Sequence, residues 1–216
     1  TMKAYRAIQD LFFKNEILPG QQLNSRNLGE MLGMSQTPVI QALKLLHYQG
    51  FLSHVPNQGY KLKKNTIEQV EEIFNLRLAI EPFCLENILV RIDPAGWKKL
   101  DNALDDFQKG LESNNLNLIL LADIDFHTTM AAISIGKSGA NIVKNLFELL
   151  YLKNRETILY NSPRKNFLSH HKKILEHLKK QDAKAAKKLL TRHIIEVKET
   201  LILNMRKSLE DIVSFL

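Results

Sequence analysis

Residues 24–49, NSRNLGEMLGMSQTPVIQALKLLHYQ, hold two short helix-periodic stretches linked only by Gly33, Met34 and Ser35. Asn24 is placed to cap the first, which runs through Leu32, and Gly33 to end it. Ser35 is placed to cap the second, from Gln36 to about Gln49. Pro38 falls in its first turn, where a missing N–H does little harm. Two short helices across a three-residue, Gly-containing turn match the helix-turn-helix pattern. A helix from Lys3 to Glu16 precedes them, with Ala4, Ile8, Leu11 and Phe12 at helical spacing and a stop at Pro19-Gly20. After them, FLSHV and YKLK flank PNQG and predict a hairpin. Three helices and a hairpin spell a winged helix-turn-helix over residues 1–65.

From Thr66 onward the pattern is helical. Thr66-Ile-Glu-Gln69 forms a capping box that opens a long helix, with a kink expected at Pro82. Asp93-Pro94 starts a second helix. A third runs from about Leu116 to Ile135, and a fourth follows GKSGAN to about Tyr160. Pro163 introduces a fifth, and a turn at Gln181-Asp182 leads into a sixth. Six helices with short connections predict an antiparallel bundle over residues 66–216. The expected fold is therefore mainly α, a winged helix-turn-helix followed by an all-helical bundle.

Charge separates the two parts. Residues 1–65 carry eight Lys and Arg against three acids, while the rest of the chain carries 22 against 20. A basic N-terminal third points to a polyanion partner, double-stranded DNA in the first instance. No apolar run approaches the roughly 20 residues a membrane helix needs, since acids interrupt LILLADIDF, and no membrane partner is expected. Nothing resembles an export leader. Cys84 is the lone cysteine, which excludes an intrachain disulfide and fits a reducing cytoplasm.

Asp123-Ile-Asp-Phe-His127 lies inside an otherwise apolar helix. Residues three, four and seven apart share a helix face, so Asp123, Phe126, His127 and Met130 project together and Asp125 points away. In the fifth helix His171 shares a stripe with Ile174, Leu175 and Leu178. In the sixth His193 sits among Leu189, Leu190 and Val197. Both histidines lie about ten residues from the turn at 181–182, roughly 15 Å along each arm of a helical hairpin, so their imidazoles can meet. His170 and His177 fall on another stripe and are expected to face solvent. The cluster is either a hydrogen-bonded set of core polar groups or a cation site. Three inward imidazoles and a carboxylate are costly to bury without a shared partner. They suit a divalent metal ion, Zn²⁺, Ni²⁺, Co²⁺ or Mn²⁺, with positions open for water or a ligand.

The chain resembles the GntR family of bacterial transcription regulators, in the FadR/VanR branch with an FCD ligand-binding domain. The run LPGQQLNSRNLGEMLGMSQTPVIQALKLLHYQGFL is similar to the family's N-terminal module, with NQG in the wing. NLRLAIEPF resembles its R-x-x-x-E segment, DIDFH its D-x-x-x-H, and HKKILEHLKKQDAKAAKKLLTRH its closing histidine segment. The resemblance implies metal ligands at Asp123, His127, His171 and His193, the four residues that helical geometry selects. It also implies an effector site in the bundle. Arg77 would there pair with an effector carboxylate, its other available role being an i+4 salt bridge to Glu81. Arg155 is a second pocket candidate.

On the DNA side, Val39, Ala42, Leu43 and Leu46 form the buried face of the recognition helix. Gln36, Thr37, Ile40, Gln41 and Lys44 are left outward, with Ser35 at its start. The family usually places arginines where Gln36 and Ile40 stand, whereas Arg26 keeps the expected type. Gln can read adenine and Ile can touch a thymine methyl, so the operator is expected to differ from the family's common one or to be bound more weakly. Gly59 would let the wing backbone approach the minor groove, with Gln58 as a contact. Together these features predict a homodimeric repressor on a pseudo-palindromic operator, controlled by a small carboxylate metabolite at or near the metal. The rival expectation is a metal-dependent hydrolase or lyase using the same Asp/His₃ set. Against it, no inward Glu or Asp stands out beside the cluster as a general base.

Overall fold

A computed structural model describes residues 1–14, 16–56, 58–159 and 164–214, and the side chains of all of these except residues 155–159 and 211–214. The chain divides into two compact units. One comprises Thr1–Asn65 with Leu152–Asn154, the other Thr66–Tyr151 with Arg155–Leu216.

The first unit runs α1 (Met2–Phe13), β1 (Gln22–Leu23), α2 (Ser25–Leu32), α3 (Gln36–Tyr48), β2 (Leu52–Val55) and β3 (Gly59–Leu62). Ala4, Tyr5, Ile8, Leu11 and Phe12 form the buried stripe of α1. On α3 the buried residues are Val39, Ala42, Leu43 and Leu46, the i, i+3, i+4, i+7 set of an amphipathic helix. The Asn24 side chain accepts from the Arg26 N–H, and Gly33 closes α2 in the left-handed region. Ser35 holds the N-cap position of α3, but its side chain makes no capping hydrogen bond. The sheet has the antiparallel order β1-β3-β2. Its two-residue strand β1 escapes sequence reading because two residues carry no alternation. Gly59 has φ 87°, and a Cβ there would stand 2.8 Å from the Leu23 carbonyl oxygen. The β1–β3 pairing (Leu23 opposite Tyr60) therefore requires glycine for its own packing, apart from any approach to DNA.

The second unit runs α4 (Ile67–Arg91), α5 (Pro94–Glu112), α6 (Leu116–Leu159), α7 (Arg164–Lys179) and α8 (Ala183–Ser214). Both halves of the Thr66/Gln69 capping box are formed, and α4 continues through Pro82 to Arg91. Asp93 caps α5 by accepting from the Gly96 N–H at 2.7 Å. Asp182 accepts from Ala185 N at 2.9 Å at the start of α8, after a left-handed Gln181. α4 packs on α8, α8 on α7, and α7 on α5.

α6 spans 44 residues as one element, but it cannot be one straight rod. Tyr151 donates a hydrogen bond to Asp123, 28 residues away in the same element. A straight helix would hold those two about 42 Å apart at 1.5 Å per residue. The Phe147 ring likewise lies 4.9 Å from that of His127. Near the midpoint of both pairs Gly136 takes φ 79°, a left-handed conformation that interrupts a right-handed helix. α6 is thus a helical hairpin with two arms, folded where the spacing of GKSGAN predicts a turn, and the described residues of the unit form six helical runs. By length and composition Leu116–Asn154 could cross a membrane, contrary to the expectation that no stretch qualifies. The fold instead spends it on the core, burying Ile119, Leu120, Phe126, Met130, Val143, Phe147 and Leu150. Each large apolar side chain so buried contributes about 1.5–3 kcal/mol.

Candidate metal centre

Three elements deliver four side chains to one point in the core of the second unit. The first arm of α6 presents Asp123 and His127, one turn apart. α7 presents His171 and α8 presents His193. One potential ligand atom from each lies within 4.8 Å of every other. His127 Nε2 is 3.0 Å from His171 Nε2, His171 Nε2 is 3.2 Å from Asp123 Oδ1, and His127 Nε2 is 3.6 Å from the same oxygen. The rings of His171 and His193 have their centroids 4.5 Å apart, as equal distances from the α7–α8 turn require. All three imidazoles are at most 2% exposed, and Asp123 is 9% exposed.

These distances fit a cation. Ligand atoms about 2.1 Å from a shared metal are about 3.0 Å apart at a right angle and about 3.4 Å apart at the tetrahedral angle. The separations of 3.0 and 3.2 Å fall in that range, whereas those from 3.6 up to 4.8 Å need an inward adjustment. The Nδ1 atoms of His127, His171 and His193 are all buried without a hydrogen-bond partner. Burial pulls the His171 pKa down to about 3, with the neighbouring His127 and Arg77 adding to it against the pull of Asp123. Burial likewise drives His193 well below its ordinary value, helped by His171 and His127. Both are therefore neutral at physiological pH, the form that binds metals.

Further buried polar groups border these four side chains. The Tyr151 hydroxyl, on the second arm of α6, donates to Asp123 Oδ2. Burial and then Asp123 push its pKa well up, so it keeps that proton. Glu81 on α4 faces His127 Nδ1 at 2.5 Å through Oε2 and accepts from Arg77 Nε at 2.6 Å through Oε1. Both atoms are buried and neither is in hydrogen-bond geometry with the other or with any other group, so a proton held on His127 Nδ1 would answer the two together. Burial by itself would raise the Glu81 pKa, but Arg77 and His127 outweigh it and hold it at about 2. The Arg77 guanidinium stacks 3.8 Å from the Phe147 ring centroid, and its Nη2 is buried without a partner.

The structure thus brings together all four residues that the sequence reading offers as candidate ligands. Arg77 stands beside them, and the ion pair with Glu81 is formed. Arg155 lies in α6, with its side chain outside the described residues. His170 is not solvent-facing as expected: it is buried, with Nδ1 3.7 Å from Glu196 Oε2 and its ring edge-on to His193. The α7–α8 contact is wide enough to cover the neighbouring stripe too. Glu81 and Tyr151 are the residues missed. Glu81 was seen only as a partner for Arg77, and Tyr151 is one polar tip in FELLYL. Glu81 also overturns the expectation that no inward acid adjoins the cluster. A surface groove of about 620 Å³ between α5 and α7, lined among others by Gln108, Lys165, Lys172 and Glu176, includes none of the four ligands.

In the first unit, Ser35, Gln36, Thr37, Gln41 and Lys44 are exposed on or beside α3, and Ile40 is half-buried. Gln36 Nε2 donates to Ser25 Oγ at 2.9 Å. Arg26 is exposed and reaches Glu30 at 3.4 Å. Gln58 is exposed in the wing, beside Gly59.

A winged helix-turn-helix followed by a helical unit is the architecture of a DNA-binding regulator. Residues 72–196 match the FCD domain family, to which this chain belongs as a GntR-type transcriptional regulator. It is 22% identical over 193 residues to the HTH-type transcriptional regulator YdhC of Bacillus subtilis, covering 89% of this chain and 86% of that one. It is 23% identical over 184 residues to the HTH-type transcriptional repressor RspR of Escherichia coli, covering 85% and 81%. Among solved structures, Escherichia coli McbR/YncC superposes with a TM-score of 0.80 at 20% identity, covering 93% of this chain and 95% of that one. A GntR regulator from Rhodococcus sp. RHA1 superposes with a TM-score of 0.77 at 20% identity, covering 93% and 98%.

Proposed function

We propose that this regulator is a cytoplasmic, homodimeric repressor whose operator affinity is set by a divalent metal ion and a small carboxylate bound in the helical unit. The observation that carries the reading is the convergence of Asp123, His127, His171 and His193 within 4.8 Å in the core. Bound there, Zn²⁺, Ni²⁺, Co²⁺ or Mn²⁺ would supply a Lewis-acidic positive centre able to take a further oxygen ligand. Arg77, with Nη2 unpartnered, offers a guanidinium edge to the same carboxylate. Four residues separate β3 of the wing from α4, which carries Arg77 and Glu81. A ligand that binds two arrangements of α4 unequally would therefore bias the DNA-binding unit.

An exposed stripe on α4 supports the homodimer. Leu76, Phe83 and Val90 are 51%, 50% and 88% exposed and recur every seven residues. An antiparallel copy of α4 related by a two-fold axis at Phe83 would set Leu76 against Val90. It would also bring the exposed Glu71 and Glu72 of one copy towards Arg91 of the other. The hydrolase or lyase reading finds less support. Glu81, the acid that the structure adds beside these residues, is ion-paired to Arg77 and held at about pKa 2, too acidic for a general base near neutrality.

The test is metal analysis of the purified protein, followed by operator binding with and without chelator across a panel of small carboxylic acids. Retained metal and an acid that shifts operator affinity only in the metal-loaded protein are the expected result. Operator affinity indifferent to chelator and to every acid would leave the cluster a structural brace. In light scattering, Phe83→Glu should convert a dimer to a monomer, and an unchanged dimer would remove α4 from the interface.

A further inference from the structure

Each oxygen of the Glu81 carboxylate faces a side-chain nitrogen. Oε1 accepts from Arg77 Nε at 2.6 Å, and Oε2 lies 2.5 Å from His127 Nδ1. Arg77 and Glu81 occupy one turn of α4, while His127 belongs to the first arm of α6, and all three side chains are buried. A carboxylate has an acceptor oxygen for each donor, whereas the amide of a glutamine has only one. A neutral imidazole carries one ring proton, and holding it on Nδ1 leaves the Nε2 lone pair free. That Nε2 is the atom lying 3.0 Å from His171 Nε2 and 3.6 Å from Asp123 Oδ1. The side of His127 facing Glu81 thus determines what the other side offers to the cluster.

We propose that Glu81 is a positioning residue for the candidate metal centre, holding His127 in the tautomer that presents Nε2 to a cation. This rests on reading the four ligands as a metal centre. A carboxylate behind a ligating imidazole also raises its basicity and fixes its ring plane, and losing such a partner typically weakens metal binding 10–100-fold. Arg77 enters the arrangement because it neutralises Glu81 and takes the other oxygen. A lone Glu81→Gln would force the single amide oxygen to choose between Arg77 and His127, and would strand a buried cation besides.

Two double variants separate hydrogen bonding from charge. Arg77→Met/Glu81→Gln and Arg77→Met/Glu81→Leu both remove the buried cation and the carboxylate. Only the first keeps an oxygen for the His127 Nδ1–H. Long-range ¹H–¹⁵N spectra of the metal-free proteins report which ring nitrogen holds the proton. The expected result is Nδ1–H in the wild type and in the glutamine variant, and Nε2–H or a mixture in the leucine variant. Titrated with Zn²⁺ alone, the glutamine variant should bind about 10–100-fold more tightly than the leucine variant. Equal Zn²⁺ affinity in the two variants overturns the positioning role and leaves the metal centre standing. A wild-type His127 protonated on Nε2 overturns the role without recourse to any variant. A wild type that binds no Zn²⁺, Ni²⁺, Co²⁺ or Mn²⁺ sinks the metal centre itself, and the role with it.

Discussion

Arg26 and Arg77 occupy the same sequence pattern, R-x-x-x-E, one in each unit. Arg26 pairs with Glu30 at 3.4 Å with 79% of its side chain exposed. Arg77 pairs with Glu81 at 2.6 Å with 1% exposed. Helical spacing makes both pairs, but the surroundings decide what each is worth. Near water the ion pair replaces good hydration with a modest attraction, and such pairs contribute about 0–1 kcal/mol. In the core neither partner has water to fall back on, so removing one strands the other. The exposed guanidinium is free to leave its glutamate for a phosphate. The buried one is fixed among Phe74, Phe147 and Glu81, where only a group entering the core can engage its remaining donors.

That contrast can be broken by experiment. Glu81→Ala should destabilise the protein by about 3–5 kcal/mol in denaturant unfolding, because it leaves a buried guanidinium unanswered; a loss below about 1 kcal/mol would erase the distinction between the pairs. Next in size is the metal. At a free concentration 100 times its dissociation constant, a bound ion should add about 2.7 kcal/mol of stability, seen as a raised melting temperature that His171→Ala/His193→Ala abolishes. Gln36→Ala should then weaken operator binding by about 1–3 kcal/mol if its amide reads a base edge, with no change in melting temperature. Lys44→Ala should reduce the steepness of log affinity against log salt by about 0.9, equally on specific and nonspecific DNA. Glu30→Ala should change stability by less than about 1 kcal/mol, and a larger loss would mean that Arg26 depends on its partner as Arg77 does.

Local chemistry made much of this molecule legible. Asn24, Thr66, Asp93 and Asp182 mark helix starts because a short polar side chain answers free N–H groups there, and each does so in the structure. The convergence of Asp123, His127, His171 and His193 could be foreseen because helical periodicity fixes faces and an antiparallel hairpin fixes heights. What stayed hidden depends on packing between distant segments. Strand β1 exists only through its pairing with β3. His170 is covered by the breadth of the α7–α8 contact, which no single helix encodes. Glu81 and Tyr151 acquire meaning from side chains 46 and 28 positions away, His127 and Asp123 respectively, and their own neighbours in sequence give no sign of it.

The fold-back of α6 at Gly136 makes residue count part of the site. Asp123 and Tyr151 meet because their arms are of nearly matched length on either side of the bend. One residue inserted within an arm, between the bend and the site, would rotate everything beyond it by about 100° and swing one of the pair off the shared face. Extra residues at the tip of the bend could instead bulge outward and leave both faces in register. Changes of chain length in this segment are therefore tolerable at one place and ruinous a few positions to either side.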